Sequence, residues 1–485
     1  MVDSPYIKVK SLYLLDRFDK SVNFMYIEEV IGKIHFLEAP KIAVEPPGPK
    51  AIALLKMQEE LEGKAVLYPS SIPFVPEEGL GATIKDVDGN TYIDFFSGIS
   101  VLNFGHSNPY ILEKTIEQLK KLAHTLDFPT EYREKLVEKL LLIAPGEMKN
   151  RSKVLFGGPT GSDAIESAIK LAKWITRKHA VIAFEGSYHG QTSMSLNLSS
   201  GRRFKDPYIP LSPDVYFAPY AYCYRCPFKL EHPECGLRCS DYLEHLIENP
   251  YSGIPTPAAI LIEPIQGEGG IIIPPDGFLQ RIRRIADKHG IPLIVDEIQA
   301  GMGRTGRWFA CEHYNVTPDI VTLAKSLGGV GLPLSAIIYR KELDMWEPGA
   351  HLGTFRGNVV AMASGYAAIE FAEKIKLLDH VTKLGEEALK YLKDVSLERR
   401  SIGEVRGKGL MIALELVKNK DTKEPDKELA TKIQIKSFKK GVLVWKAGHY
   451  GNVIRLLPPL VITRELMMKG LEILGETIAE IEKTT

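Results

Sequence analysis

The chain has 485 residues, 45% of them hydrophobic and 25% charged, with 61 basic and 61 acidic side chains. This balance gives nucleic acid or an anionic membrane no electrostatic reason to bind, and no apolar run reaches the ~18 residues a membrane helix needs. What remains is a globular chain of two or three domains with an ordinary composition.

Taken in chain order, Val2 to Lys20 mixes acidic and basic residues among its apolar ones. It has no clean apolar core and no small-residue cleavage site, so the expectation is a cytoplasmic protein without a secretory signal. Residues 1–44 read as an N-terminal extension, with Met25 as an alternative start. Residues 45–109 read as an arm and a segment of a small domain. Prolines make the first part irregular around one helical piece, Lys50 to Glu62. The alternating run Ala82–Val87, the turn Asp88-Gly89-Asn90 and the run from Thr91 then predict a β-hairpin.

Residues 110–362 alternate strand and helix and predict a large domain with a mainly parallel, seven-stranded type of sheet covered by helices, an α/β fold. Short apolar strands are expected at Lys153–Phe156, Val181–Phe184, Ala258–Glu263, Pro292–Asp296, Ile320–Leu323 and Ser335–Tyr339. The helix from Gly277 to His289 keeps Phe278, Ile282 and Ile285 on one face. Within this domain, 220–240 reads as a loop insertion carrying Cys223, Cys226, Cys235 and Cys239 in the spacing C-x2-C-x8-C-x3-C. Such a set binds zinc, forms two disulfides or stays as plain thiols; no metal is assigned, and these four are the candidate ligands. Residues 363–485 are helical and then mixed, ending in an amphipathic run from Arg464 to Ile481, and predict a smaller α+β domain.

In an open α/β sheet, ligands sit beyond the carboxyl ends of the strands, and three unusual segments fall there. Gly157-Gly158-Pro159-Thr160-Gly161-Ser162-Asp163 follows a strand and opens a helix. Thr160 and Asp163 have capping spacing, and the free N–H groups of such a turn, with Gly161 and Ser162 foremost, suit a phosphate. Asp296 ends a buried apolar strand, which is costly for a carboxylate without a partner. A protonated pyridine nitrogen is one such partner; capping of a loop is the plain alternative. Lys325 ends another apolar strand and precedes Gly328 and Gly329. Burial makes an amine more nucleophilic, as an imine-forming lysine requires.

Phosphate clamp, ring-nitrogen acid and imine lysine in this order resemble the class III aminotransferases, the pyridoxal-phosphate (PLP) fold-type I group. The resemblance runs from about Gly79 to near the C-terminus. It includes Asp86-Val-Asp-Gly-Asn-Thr-Tyr-Ile-Asp, Asn103-Phe-Gly-His106, Glu263-Pro-Ile-Gln-Gly-Glu268-Gly-Gly, Asp296-Glu-Ile-Gln-Ala-Gly and Gly353-Thr354-Phe-Arg-Gly-Asn358. The resemblance implies that Lys325 forms the internal aldimine and moves the Cα proton, and that Asp296 pairs with the pyridine nitrogen. It further implies that Gln299 bonds the ring hydroxyl, that Tyr188 stacks on the ring and that Gly161 and Ser162 hold the phosphate. Thr354 would reach the phosphate of a second subunit, implying a homodimer with shared sites, with a tetramer as a further option. Arg455 would grip the substrate α-carboxylate, and Glu268 would mask Arg455 when an ω-amino substrate binds. His106 and His189 read as structural.

Two departures bear on the substrate. Relatives acting on 4-aminobutyrate or ornithine usually carry Arg where this chain has Gln191, and a neutral amide cannot replace a charged fork. Arg356 is a candidate replacement. The same family contains amino-acid racemases, in which an Asp stands at the position of Glu268. The resemblance therefore implies an aminotransferase acting on an amino acid and a 2-oxo acid such as 2-oxoglutarate, with amino-acid racemisation as the alternative. A non-catalytic binding protein on the same fold is the remaining reading, and the presence of Lys325, Asp296 and Gln299 argues against it.

Overall fold

The computed structural model describes residues 24–211 and 214–484; the segment Val2–Lys20 lies outside them. The chain divides into two compact units, residues up to Glu113 with those from Glu370 onward, and Lys114–Ile369.

In the first unit the hairpin forms as the Asp-Gly turn requires. Strand β1 (Pro76–Leu80) pairs antiparallel with β2 (Thr83–Asp86), which pairs with β3 (Thr91–Asp94). Gly89 takes a positive φ of 89° at the turn, a conformation that costs a side chain strain. The Asp86 carboxylate locks the turn by accepting from the Asp88 and Asn90 backbone N–H groups, the Asn90 amide and the Tyr92 hydroxyl. Asp94, also buried, accepts from the Phe96 and Ser97 N–H groups and pairs with His106 Nε2 at 2.7 Å. His106 thus has a structural partner within its own unit.

The second unit holds a seven-stranded sheet of β4 (Ser152–Phe156), β5 (Ala180–Phe184), β6 (Val215–Ala218), β7 (Pro257–Ile262), β8 (Leu293–Asp296), β9 (Ile320–Leu323) and β10 (Ala336–Arg340). Their spatial order is β4-β10-β9-β8-β7-β5-β6. Neighbours from β9 through β6 run parallel, whereas β10 is antiparallel to both β9 and β4. The apolar strands are buried on both faces. The helix Gly161–Thr176 lays Ile165, Ile169 and Ala172 over Val181, Leu261, Ile294 and Ile337 in one core cluster. Each such Ile, Leu or Val side chain contributes ~1.5–3 kcal/mol when taken out of water. The helix Phe278–Lys288 buries Phe278, Ile282 and Ile285. Strand β6, just before the cysteine-rich stretch, is an element the sequence reading omitted.

Returning to the first unit, β11 (Ile402–Lys408), β12 (Met411–Asn419), β13 (Glu424–Pro425), β15 (Trp445–Ala447) and β16 (Val453–Leu456) form a second, antiparallel sheet, while β14 (Val442–Leu443) joins β3 in parallel. Tyr92 and Phe438 stack with centroids 5.4 Å apart in a cluster with Ile72, Ile84 and Leu443. The helix Arg464–Glu482 starts at Thr463, whose side chain accepts from the Leu466 N–H. Among the described residues no helix is long and apolar enough to cross a membrane.

Candidate active site

Parallel strands deliver their carboxyl ends to one edge of the sheet, so the loops after β5, β7, β8 and β9 share a neighbourhood. Asp296 is the last residue of β8 and stands opposite Thr322 of β9. Its side chain is 4% exposed and its oxygens are divided: Oδ2 lies 2.7 Å from His189 Nδ1, while Oδ1 accepts from Thr322 Oγ1 at 3.1 Å and the Ile298 N–H at 3.0 Å. His189 is therefore more than packing. It follows Tyr188 after β5 and pins the carboxylate from the neighbouring loop, while its Nε2 is buried without a hydrogen-bond partner.

Lys325 lies just past β9, separated from it by Ala324, and adopts a positive φ of 49°. A non-glycine residue held there stores strain, and such strain clusters at functional sites. The phosphate-candidate turn packs against the two strand ends. A Cβ on Gly161 would stand 3.1 Å from Ile298 Cδ1 and 3.7 Å from Ala324 Cβ. Asp163 completes the cap by accepting from both the N–H and the hydroxyl of Thr160 at 2.8 and 2.7 Å. The Gly161 and Ser162 N–H groups lie in the first helical turn, where no intrahelical acceptor exists. Ser162 Oγ accepts from the Gln191 N–H at 3.1 Å. Gly190 makes this contact feasible, since a Cβ there would come within 2.0 Å of that oxygen.

Tyr188 donates its N–H to Glu263 Oε1, and Glu263 Oε2 accepts from Gly267. Burial pushes the Glu263 carboxyl up to about 7, with His189 pulling it down and Asp296 adding to the rise. Gln191 Nε2 donates to the Tyr188 hydroxyl at 3.3 Å. Gln299 lies against Gly267, and its Oε1 is buried without a partner. Glu268 pairs with Arg203, Nη2 to Oε1 2.7 Å. The sequence reading gave no role to His189 beyond structure and none to Thr322, Glu263 or Arg203. Only Glu263 carried a readable signal, a carboxylate just after a buried apolar strand.

Thr354 opens the short helix Thr354–Gly357, and its carbonyl accepts from His124 Nε2 at 2.7 Å. Arg356 is buried, donates to the His351 carbonyl and pairs with Asp127 at 3.3 Å. Arg455 belongs to the other unit, where it is 1% exposed on β16, in register with Ala413 and Trp445. Cys223, Cys226, Cys235 and Cys239 line one pocket of about 20 Å3. Burial pushes the Cys239 thiol up to about 12. Among the described residues no three of these sulfurs lie within 4.8 Å of one another.

The arrangement fits PLP. A buried, hydrogen-bonded carboxylate suits a pyridinium nitrogen, the partnerless Gln299 Oε1 suits a ring hydroxyl, and the capped turn suits a phosphate. Comparison with known proteins agrees. Residues 68–478 match the family model for class III aminotransferases. A diaminobutyrate–2-oxoglutarate aminotransferase of Rhizobium meliloti is 39% identical, over 84% of this chain and 88% of its own length. An alanine/serine racemase of Pyrococcus horikoshii is 38% identical, over 92% and 94%. The ornithine aminotransferase structure from Toxoplasma gondii superposes with a TM-score of 0.78 at 28% identity, covering 90% of this chain and 97% of that one. The fold is accordingly that of the PLP fold-type I enzymes, and the chain belongs to the class III aminotransferase family.

Proposed function

We propose that this enzyme uses PLP to move an amino group from an amino acid to a 2-oxo acid, with 2-oxoglutarate as acceptor. The observation that carries this reading is Lys325, held in a left-handed conformation just past β9, beside the strand that ends in the buried Asp296. Bound at these strand ends, PLP supplies an electron sink for the charge left when a substrate loses its α-hydrogen. The chain's residues do the rest. Asp296, oriented by His189 and Thr322, holds the proton on the pyridine nitrogen. Gln299 accepts from the ring hydroxyl, and Tyr188 covers the ring. Gly161 and Ser162 direct first-turn N–H groups at the phosphate. Lys325 Nζ takes the substrate's α-proton and returns it. Arg455 holds the α-carboxylate through its guanidinium fork, with Glu268 as a competing counter-ion for ω-amino substrates.

The working form in this reading is a homodimer, with Thr354 completing the partner's phosphate site. Exposed apolar side chains around Thr354 support it: Phe128, Leu352 and Phe355 are 71, 75 and 67% exposed. Racemisation is the second reading, because alanine/serine and leucine/methionine racemases stand among the relatives. It requires a second acid–base group opposite Lys325, and Glu268 is the candidate.

The test uses the PLP-loaded enzyme with single L-amino acids, with and without 2-oxoglutarate. Glutamate formed only when 2-oxoglutarate is present, with no D-isomer, is the expected result. D-isomer formed without any 2-oxo acid would establish the racemase instead. Lys325→Ala is expected to abolish turnover and the visible absorption change on adding an amino acid; retained turnover would overturn the role of Lys325.

A further inference from the structure

2-Oxoglutarate carries a distal carboxylate that many amino donors lack. A site serving both needs a cation for that group, and a counter-ion for the cation when the group is absent. Gln191, whose amide reaches the Tyr188 hydroxyl, cannot supply charge. Arg203 can. It lies on the short helix Arg202–Lys205, and its guanidinium stands 4.5 Å above the Phe204 ring. That ring meets Tyr188 edge-on, with centroids 5.2 Å apart. Arg203 is thus tied through one aromatic contact to the side chain that covers the cofactor in the reading above. Its partner is Glu268, which is 21% exposed, whereas Arg203 is 54% exposed. A half-exposed ion pair is weakly held because water screens it, so another carboxylate can displace Glu268 at little cost. Stacking on Phe204 keeps the guanidinium in place during the exchange.

We infer that Arg203 determines acceptor specificity: it binds the distal carboxylate of a dicarboxylic 2-oxo acid and returns to Glu268 when a substrate without that group is bound. The inference rests on the reading of the chain as a 2-oxoglutarate-using aminotransferase, and its test separates the two. Full-length, PLP-loaded wild type, Arg203→Gln and Arg203→Lys are compared with 2-oxoglutarate and with pyruvate as acceptors. Glutarate and butyrate binding are measured by calorimetry. Losing this screened pair should raise the KM for 2-oxoglutarate and the Kd for glutarate ~2- to 5-fold in Arg203→Gln. The pyruvate and butyrate values should change far less, and Arg203→Lys should recover part of the loss. Equal effects on mono- and dicarboxylates, or none, would overturn the inference and leave the pair a structural one. Arg203-dependent glutarate binding in a wild type that makes no glutamate would sustain the carboxylate site while removing the aminotransferase reading.

Discussion

Glu263 and Asp296 are carboxylates at the ends of adjacent buried strands, and the chain partners them differently. Asp296 is hydrogen-bonded by a histidine and a hydroxyl; Glu263 accepts from two backbone N–H groups and feels His189 only through space, with Asp296 opposing it. Desolvation therefore dominates at Glu263 and lifts it from 4.5 to about 7. A folded-state value above the unfolded one means that the folded chain keeps a proton the unfolded chain has lost. The associated stability is fully present below about pH 4.5 and is lost as pH rises through about 7. A difference of this size is worth a few kcal/mol. Denaturant midpoints of wild type and Glu263→Gln should thus diverge across that window, the wild type losing stability with rising pH relative to the variant. Glu297 is lifted to about 7 for the same reason, but it is present in both proteins and cancels. Parallel pH profiles would remove Glu263 as the cause. Residues of this kind divide by how local their signal is. Lys325 and Asp296 were legible because a charge ending an apolar strand is anomalous within a few residues. His189 was not, because its partner lies 107 residues away and only the sheet order joins them.

At the scale of elements, the helix Gly161–Thr176 links the fold to the site. Its apolar face anchors it in the core, and its first turn points N–H groups at the strand ends. Asp163 fixes the turn by gripping Thr160 twice, and it packs on Gly158, where a Cβ would come within 2.6 Å of its carboxyl carbon. Asp163→Ala should cost ~1 kcal/mol of stability, as loss of a helix cap typically does. It should also weaken PLP binding in a fluorescence titration, since the turn loses the bonds that set its shape. Asp163→Asn, which keeps an acceptor for the Thr160 N–H, should lose less. Unchanged PLP affinity in Asp163→Ala would show that the phosphate is held elsewhere. This helix and the buried strands were readable because apolar periodicity and capping spacing are local. Strand β6 was missed at the sheet's edge, where three of its four residues are only partly buried. The reversed direction of β10 was also hidden, because strand direction depends on connection geometry rather than composition.

At the scale of the whole molecule, the hydrophobic pattern leaves a cluster of apolar side chains on the surface. Phe128, Leu352 and Phe355 are large apolar side chains more than two-thirds exposed, beside a pocket of about 430 Å3 lined by Leu126, Asp127, Phe128, Leu352, Gly353 and Thr354. Clustered exposed apolar surface marks an association site far more often than a free one. Neither 352 nor 355 supports the fold from within, so a charge placed there should leave the subunit folded while making its burial in an interface expensive. Leu352→Glu with Phe355→Glu is therefore expected to convert a dimer to a monomer in sedimentation velocity. If Thr354 completes the partner's phosphate site, that monomer should also lose PLP on dilution and with it turnover, although Lys325, Asp296 and Gln299 are untouched. A variant that still sediments as a dimer would put the subunit contact on another surface. A monomer with wild-type turnover would mean that each chain closes its own phosphate site, leaving Thr354 without the role proposed for it.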